Sequence, residues 1–367
     1  MNSKYYPTIK FCRQAALMKR RLTLPVKLVK SGFWKSESYY PEMPNHKSKL
    51  RIFCELIWHI MKYGTIEYHY FSYGFDVKGL RDKNDYLDDN WFLWKASMIN
   101  TVLPKWDYTC ILRDKALFSE LLPKWGYNTP RIVYDSESNN FQVIENQLFT
   151  NVGGYFCKPI DGQCGGGIFK IVISEGKCLI NGQEKTMDDA RRFIKEQFEQ
   201  EHYLVQSLVE QHPVLNSIYD KSVNTLRLIT LYDKKRNMVI PFSAVLRIGA
   251  NGNTVDNWAK GGLAVGVDIK TGRLKEYGFY KHGCGQKTTE HPDTHITFKD
   301  VKLPDFDKAI ENAKSLHHKL KEIPIIGWDI AFTRDGPLFI EGNDNMEVSI
   351  NQEVNGGLKK EFNNIFG

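Results

Sequence analysis

The stretch GWDIAFTRDGPLFIEGN, Gly327 to Asn343, reads as two strands folded about a turn at Asp335-Gly336-Pro337. With those three residues as the loop, Arg334 would pair with Leu338, Ala331 with Glu341 and Asp329 with Asn343. Directly opposed residues of antiparallel strands share a face, and so do alternate residues along each strand. Asp329, Glu341 and Asn343 would then stand together, with Trp328, Ile330, Phe332, Leu338 and Ile340 packing the other face. A change of one residue in the loop would separate the three. The bland alternative is the polar rim of an exposed sheet. Three oxygen donors without histidine or cysteine suit Mg²⁺ better than zinc, and Mg²⁺ commonly shares its ligands with phosphates.

A second segment upstream carries complementary chemistry. CKPIDGQCGGGIFKI, Cys157 to Ile171, holds glycines at 162, 165, 166 and 167. No Lys-Ser/Thr follows them, so a P-loop is excluded. The β-branched run Ile168 to Ile173 is not an amphipathic helix, which excludes the dinucleotide fingerprint as well. A hairpin with a bare tip remains: either a plain turn, or a flap whose N–H groups nest an anion. Lys158, just ahead of the loop, and Lys115, in the first turn of the helix capped by Asp114, are candidate phosphate-binding cations; taken singly, each reads as a surface lysine. Arg227 interrupts the apolar strand SVNTLRLITL and calls for a carboxylate or phosphate partner. Asn257 and Gly261-Gly262, in DNWAKGGLAVGVD, read as a substrate-facing loop or as a turn.

The rest of the chain bounds these readings. Its 367 residues are 42% hydrophobic, 25% charged and 13% aromatic, a globular composition. No apolar run approaches the ~20 residues that span a bilayer, and the N-terminus lacks a secretory h-region, so a cytoplasmic protein is expected. Seven scattered cysteines without a C-x2-C pair read as isolated thiols. Residues 1–62 hold 13 Lys/Arg against 3 Asp/Glu, a net of +10 in a chain whose total is +7. This basic head reads as a solvated helical face or as a peripheral membrane contact; Pro7 and Pro25 allow it only a short amphipathic helix. No nucleic-acid partner is expected. The expected organisation is α+β: a helical, aromatic-rich region 1–106, with LRIFCELIWHIMKYG presenting apolar residues 53, 56, 57, 60 and 61; a segment 107–210 bearing the glycine flap; and a strand-rich segment 211–367 bearing the carboxylates.

In chain order, RDKALFSELL, FCKPIDGQCGGG, YLVQSLVEQHP, VNTLRLITL and WDIAF…FIEGN resemble the ATP-grasp enzymes, in which two α+β subdomains grip ATP. VNTLRLITL, DNWAKGGLAVGVD and GPLFIEGND bring the resemblance to the sugar-transfer associated ATP-grasp branch, over about residues 107–367. The resemblance implies ATP and Mg²⁺ as cofactors. Lys115 and Lys158 would contact phosphates, and Gly165, Gly166 and Gly167 would close over them. Gln206, Ser207, Leu208 and Val209 would form the adenine hinge, with Gln206 departing from the acid often found there; His212 is the candidate for the ribose. Asp329, Glu341 and Asn343 would hold the metal, and Arg227 would act as the catalytic charge stabiliser. The implied activity is a ligase joining a carboxylic acid to an amine through an acyl phosphate, on a small sugar-linked molecule of surface polysaccharide assembly. Two alternatives are a small-molecule or sugar kinase and a non-catalytic nucleotide-binding subunit.

Overall fold

The strands LRLIT and IIGWDIAF are buried on both faces and lie side by side, which places them in the interior of a sheet rather than at its edge. The computed structural model describes residues 6–102, 104, 106–135, 148–149, 153–160, 167–174 and 177–367, with side chains from residue 12 onward. Among them two antiparallel sheets stand out. The larger has the order β11-β10-β9-β8-β7-β12-β13. Its strands are β7 (Thr225–Asp233), β8 (Met238–Ile248), β9 (Leu263–Val267), β10 (Leu274–Tyr280), β11 (Lys287–Thr288), β12 (Ile325–Thr333) and β13 (Gly336–Asn343). The smaller has the order β1-β6-β2-β3-β4-β5, from β1 (Ile132–Asp135), β2 (Gly153–Pro159), β3 (Phe169–Ser174), β4 (Lys177–Ile180), β5 (Gln183–Lys185) and β6 (Tyr203–Ser207).

Ten helices are described: α1 (Tyr6–Ser31), α2 (Lys49–Tyr63), α3 (Asp89–Ser97), α4 (Cys110–Arg113), α5 (Lys115–Lys124), α6 (Met187–Gln200), α7 (Pro213–Ile218), α8 (Phe306–Lys319), α9 (Ser349–Asn355) and α10 (Lys359–Phe366). One face of the larger sheet, with Leu226, Leu228, Trp328, Ile330, Phe332 and Phe339, packs against α8 and against Phe118 and Leu122 of α5. Its polar groups are satisfied in series. The Trp328 indole donates to Thr230 Oγ1 at 2.8 Å, Thr230 bonds His317 Nδ1 at 2.6 Å, and His317 Nε2 bonds the Ile323 carbonyl at 2.9 Å. The other face, around Val245, Ala264 and Phe279, is covered by α9 and by an aromatic layer from residues 28–86.

The hairpin at 327–343 differs from its sequence-based register. Thr333 pairs with Gly336, so the loop is the two residues Arg334-Asp335, and Ala331 pairs with Leu338, not with Glu341. A regular continuation would bring Ile340 opposite Asp329 and turn Glu341 into the core. A β-bulge at Ile340, opposite the step from Asp329 to Ile330, restores the parity, so that Asp329 opposes Glu341 and Gly327 opposes Asn343. The core face accordingly takes Phe339, while Leu338 and Ile340 are only half-buried. Two expectations for the N-terminal layer also change. Helix α1 runs 26 residues straight through Pro25, because Leu24 and Leu28 pack into the aromatic core and offset the ~3 kcal/mol an internal proline costs. On α2 the buried line is Ile52, Leu56 and Ile60, and Met61 is 50% exposed.

Candidate active site

The bulge gathers the charges. On the face opposite Trp328, Asp329 lies between Arg227 of β7 and Glu341 of β13. Arg227 grips it with two bonds, Nε to Oδ1 at 2.5 Å and Nη2 to Oδ2 at 3.0 Å. Arg247, the β8 neighbour of Thr225, adds Nη2 to Oδ2 at 2.9 Å. Arg247 Nε also lies 3.4 Å from Asp256, whose carboxylate accepts from the Thr225 hydroxyl. Arg227 thus has the carboxylate partner that its place in an apolar strand demands. Arg247 and Asp256 were not singled out in the sequence, although Arg247 carries the same signal, a guanidinium inside the apolar run SAVLRI.

Burial alone would raise the Asp329 carboxyl; the guanidiniums of Arg227 and Arg247 outweigh it and hold Asp329 well below the usual carboxylate range. Glu341 has no such grip. Burial first, and then the charge of Asp329, raise its proton affinity, with only partial relief from Arg227 and Lys158. Lys158, 4% exposed on β2, is pushed down to about 8 by burial, with Glu341 opposing and Lys115 reinforcing the shift. The ammonium from the smaller sheet and the carboxylate from the larger therefore sit within electrostatic reach. Lys115 Nζ donates to the Ile160 carbonyl at 3.0 Å, next to the same strand.

The remaining expectations divide. Gly167 lies at φ +69° with its carbonyl held by Tyr203 Oη at 2.9 Å, and a Cβ there would come 2.8 Å from Pro159. Gly165 and Gly166 lie outside the described residues. Gln206 is buried, and its amide donates to Ser119 Oγ at 3.1 Å and to the Pro130 carbonyl at 3.4 Å, so the side chain is committed to packing. Ser207 N–H donates to the Arg131 carbonyl and Leu208 N–H to that of Gly154, both at 3.0 Å. Ser207, Leu208 and Val209 line a cleft with Arg131, Gly153 and Tyr155. His212 caps α7, its Nδ1 accepting from Val214 N–H at 3.2 Å. Asn257 caps the turn before Gly261, whose φ is +90°, which is the turn reading of that segment.

For a divalent cation the donors are all oxygen. Among the described residues no group of three or more His, Cys, Asp or Glu side chains is gathered as a metal cage; the set is the Glu341 carboxyl, the Asn343 amide and Asp329. Asn343 Nδ2 donates to Glu341 Oε1 at 3.2 Å, which sets the two side by side. A carboxyl with raised proton affinity is one short of positive charge, which a hard divalent cation supplies. The residues fit Mg²⁺, with Glu341 and Asn343 the freer donors and Asp329 the one already held by arginines.

Residues 97–366 match the model of a protein family described as sugar-transfer associated ATP-grasp. No curated protein matches the chain. Solved structures similar to it include D-alanyl-alanine synthetase A from Vibrio cholerae O1 (11% identity, TM-score 0.40, 71% of this chain and 61% of that one). D-alanine-D-alanine ligase from Helicobacter pylori is similar at 14% identity and TM-score 0.43, over 76% of this chain and 68% of that one. The ATP-grasp ligase PsnB, in complex with Mg and ADP, is similar at 14% identity and TM-score 0.37, over 70% and 59%. The chain spans about three fifths of the synthetase and of PsnB.

Proposed function

Because this chain belongs to the sugar-transfer associated ATP-grasp family, we propose that it is an ATP- and Mg²⁺-dependent ligase that joins a carboxylic acid to an amine. One observation carries the reading. Lys158 from the smaller sheet and Glu341, Asn343 and the Arg227–Asp329 pair from the larger meet in one place, each with its proton affinity or hydrogen bonding set by the others. Displaced proton affinities of opposite sign in neighbouring side chains favour a functional site.

In this reading Lys158 and Lys115 take the phosphates of ATP, Gly165, Gly166 and Gly167 cover them, and Ser207, Leu208 and Val209 border the adenine. Glu341, Asn343 and Asp329 hold the cation. When bound, Mg²⁺ neutralises the charge of the β- and γ-phosphates. The acid's carboxylate oxygen attacks the γ-phosphorus, ADP leaves, and the acyl phosphate is then opened by the amine with release of phosphate. Lys158 stabilises the charge that spreads over the transferring group. Arg227 presents a guanidinium fixed in direction by Asp329, suited to a developing oxyanion. The division at residues 107 and 211 would separate the flap-bearing from the metal-bearing part. A sugar acid or amino sugar of surface polysaccharide assembly is the proposed substrate class.

The test follows ADP release while the protein, ATP and Mg²⁺ meet a panel of uronic acids and amines, with hydroxylamine added in parallel. A hydroxamate formed only with the productive acid supports the ligase. A stable phosphate ester without hydroxamate replaces it with a kinase.

A further inference from the structure

Helices α1 and α2 carry the same surface pattern. On α1, Met18, Leu22, Val26 and Val29 are 67, 76, 55 and 58% exposed. On α2, Leu50, Trp58 and Met61 are 72, 47 and 50% exposed, with exposed Cys54 among them. Each set follows the spacing i, i+4, i+8, i+11, which aligns it along one stripe of a helix. Leu24 and Leu28 of α1, and Ile52, Leu56 and Ile60 of α2, are the residues turned into the core. Both stripes therefore point outward. They hold 7 of the 14 large apolar side chains left exposed among the described residues, which is a concentration rather than scatter. The two helices are neighbours: Arg21 Nη2 donates to the Lys62 carbonyl at 3.3 Å, and Gly64 abuts Leu17.

Charge identifies what covers this face. Helix α1 contains seven Lys/Arg and no Asp or Glu. Lys19 and Lys30 are exposed and border its apolar stripe, and Arg20 and Lys27 are exposed further round the same side of the helix. On α2 the exposed Trp58 has the ammoniums of Lys62 and Lys83 over its ring at 4.6 and 5.0 Å. An apolar strip edged by cations, with an aromatic at the boundary, matches the acyl–headgroup interface of an anionic bilayer. No helix among the described residues is long and apolar enough to cross a membrane, so α1 would lie along the surface. We propose that the α1–α2 face seats this chain on an anionic membrane surface. This inference is independent of the ligase reading, since its readout is binding and not turnover.

The test is co-sedimentation of the full chain with vesicles of phosphatidylcholine alone and of phosphatidylcholine containing phosphatidylglycerol. Binding is expected only to the anionic vesicles, weakening about tenfold or more from low to high salt. Leu22→Glu with Val26→Glu is expected to abolish it, with circular dichroism and melting unchanged. A second variant, Lys19→Gln with Arg20→Gln, Lys27→Gln and Lys30→Gln, leaves the apolar stripe intact and should lose binding to the anionic vesicles as well. Equal binding to both vesicle types, binding to neither, or an unlipidated dimer that Leu22→Glu dissociates would each overturn the proposal, the last by giving the face to a second copy.

Discussion

Two buried ionic clusters flank the same face of the larger sheet, and they are built to opposite ends. The first is the Arg227–Arg247–Asp329 network with Glu341 and Lys158. The second joins His69, Glu353 and Asp89 beneath the aromatic layer. There His69 is stacked between Tyr73 and Trp258, with ring centroids 5.2 and 5.7 Å away. Glu353, fully buried, accepts from the Ser72 hydroxyl at 2.7 Å and lies 3.4 Å from His69 Nδ1. Burial alone would lower His69; Glu353 overrides it and raises the ring to about 9. Asp89 accepts the Val348 and Ser349 N–H groups at 2.9 Å each, fastening α9 to the N-terminal layer. Every ring in that cluster is clamped between layers, as suits a joint. In the first cluster Glu341 is raised and Lys158 lowered, so a carboxylate and an ammonium are both left short of a full counter-charge at the junction of two sheets. On the function proposed above, the difference separates charges that hold the fold from charges placed to meet a ligand.

The comparison can be broken in three ways, the largest effect first. Asp329→Ala removes the one carboxylate that both arginines grip, leaving the largely buried Arg227 without its carboxylate and Arg247 with Asp256 alone. It is expected to cost about 3–5 kcal/mol in urea unfolding. A loss below 1 kcal/mol would mean that Asp256 and water satisfy the arginines unaided.

For the second cluster the expectation is a pH effect. The folded-state pKa of His69 lies above its unfolded 6.5, so its contribution to stability is complete below 6.5 and is lost as pH rises through about 9. Asp89, raised from 3.8 to about 6 mainly by burial, acts in the same direction at lower pH, its contribution fading as pH rises through about 6. Glu353 and Glu67 are the other acids that face His69. Melting temperature should therefore fall between pH 7 and pH 10, and His69→Gln should flatten that fall while leaving turnover per folded molecule unchanged. A slope unaltered in His69→Gln would remove the joint. The smallest effect concerns Lys158. Burial sets its pKa near about 8, so ATP affinity should decline as pH rises through that value. Lys158→Arg, charged throughout, should show a weaker decline; an identical pH profile would exclude Lys158 from phosphate binding.

Much of this was legible in the sequence because local chemistry and final position agree there. The strands beside the glycine loop follow from their aromatic and β-branched runs, and the helix start at Lys115 from its capping residue Asp114. The facing of Asp329 and Glu341 was legible as well, but the register was not. A two-residue loop with a bulge and a three-residue loop without one give the same parity for these two positions, and only tertiary packing of Phe339 selects between them. Arg247 was legible by the same signal as Arg227, a guanidinium inside an apolar strand. Asp256 and the His69–Glu353 pair carry no such local signal, and their partners lie 31 and 284 residues away in sequence, counting Asp256 to Thr225 and His69 to Glu353. The length of α1 is not legible locally, because the leucines that offset the cost of Pro25 act through tertiary packing.

The proposed function requires the two sheets to hold one magnesium nucleotide between them, with Glu341 as a ligand from the larger one. Calorimetric titration of ATP into the wild-type chain and into Glu341→Gln, each with Mg²⁺ and with a chelator, tests it directly. ATP should bind the wild-type chain at least about tenfold more tightly with Mg²⁺ than without, a difference of ~1.4 kcal/mol or more, and the variant should lose that difference while melting as the wild type does. The same Mg²⁺ dependence in both proteins would contradict the account.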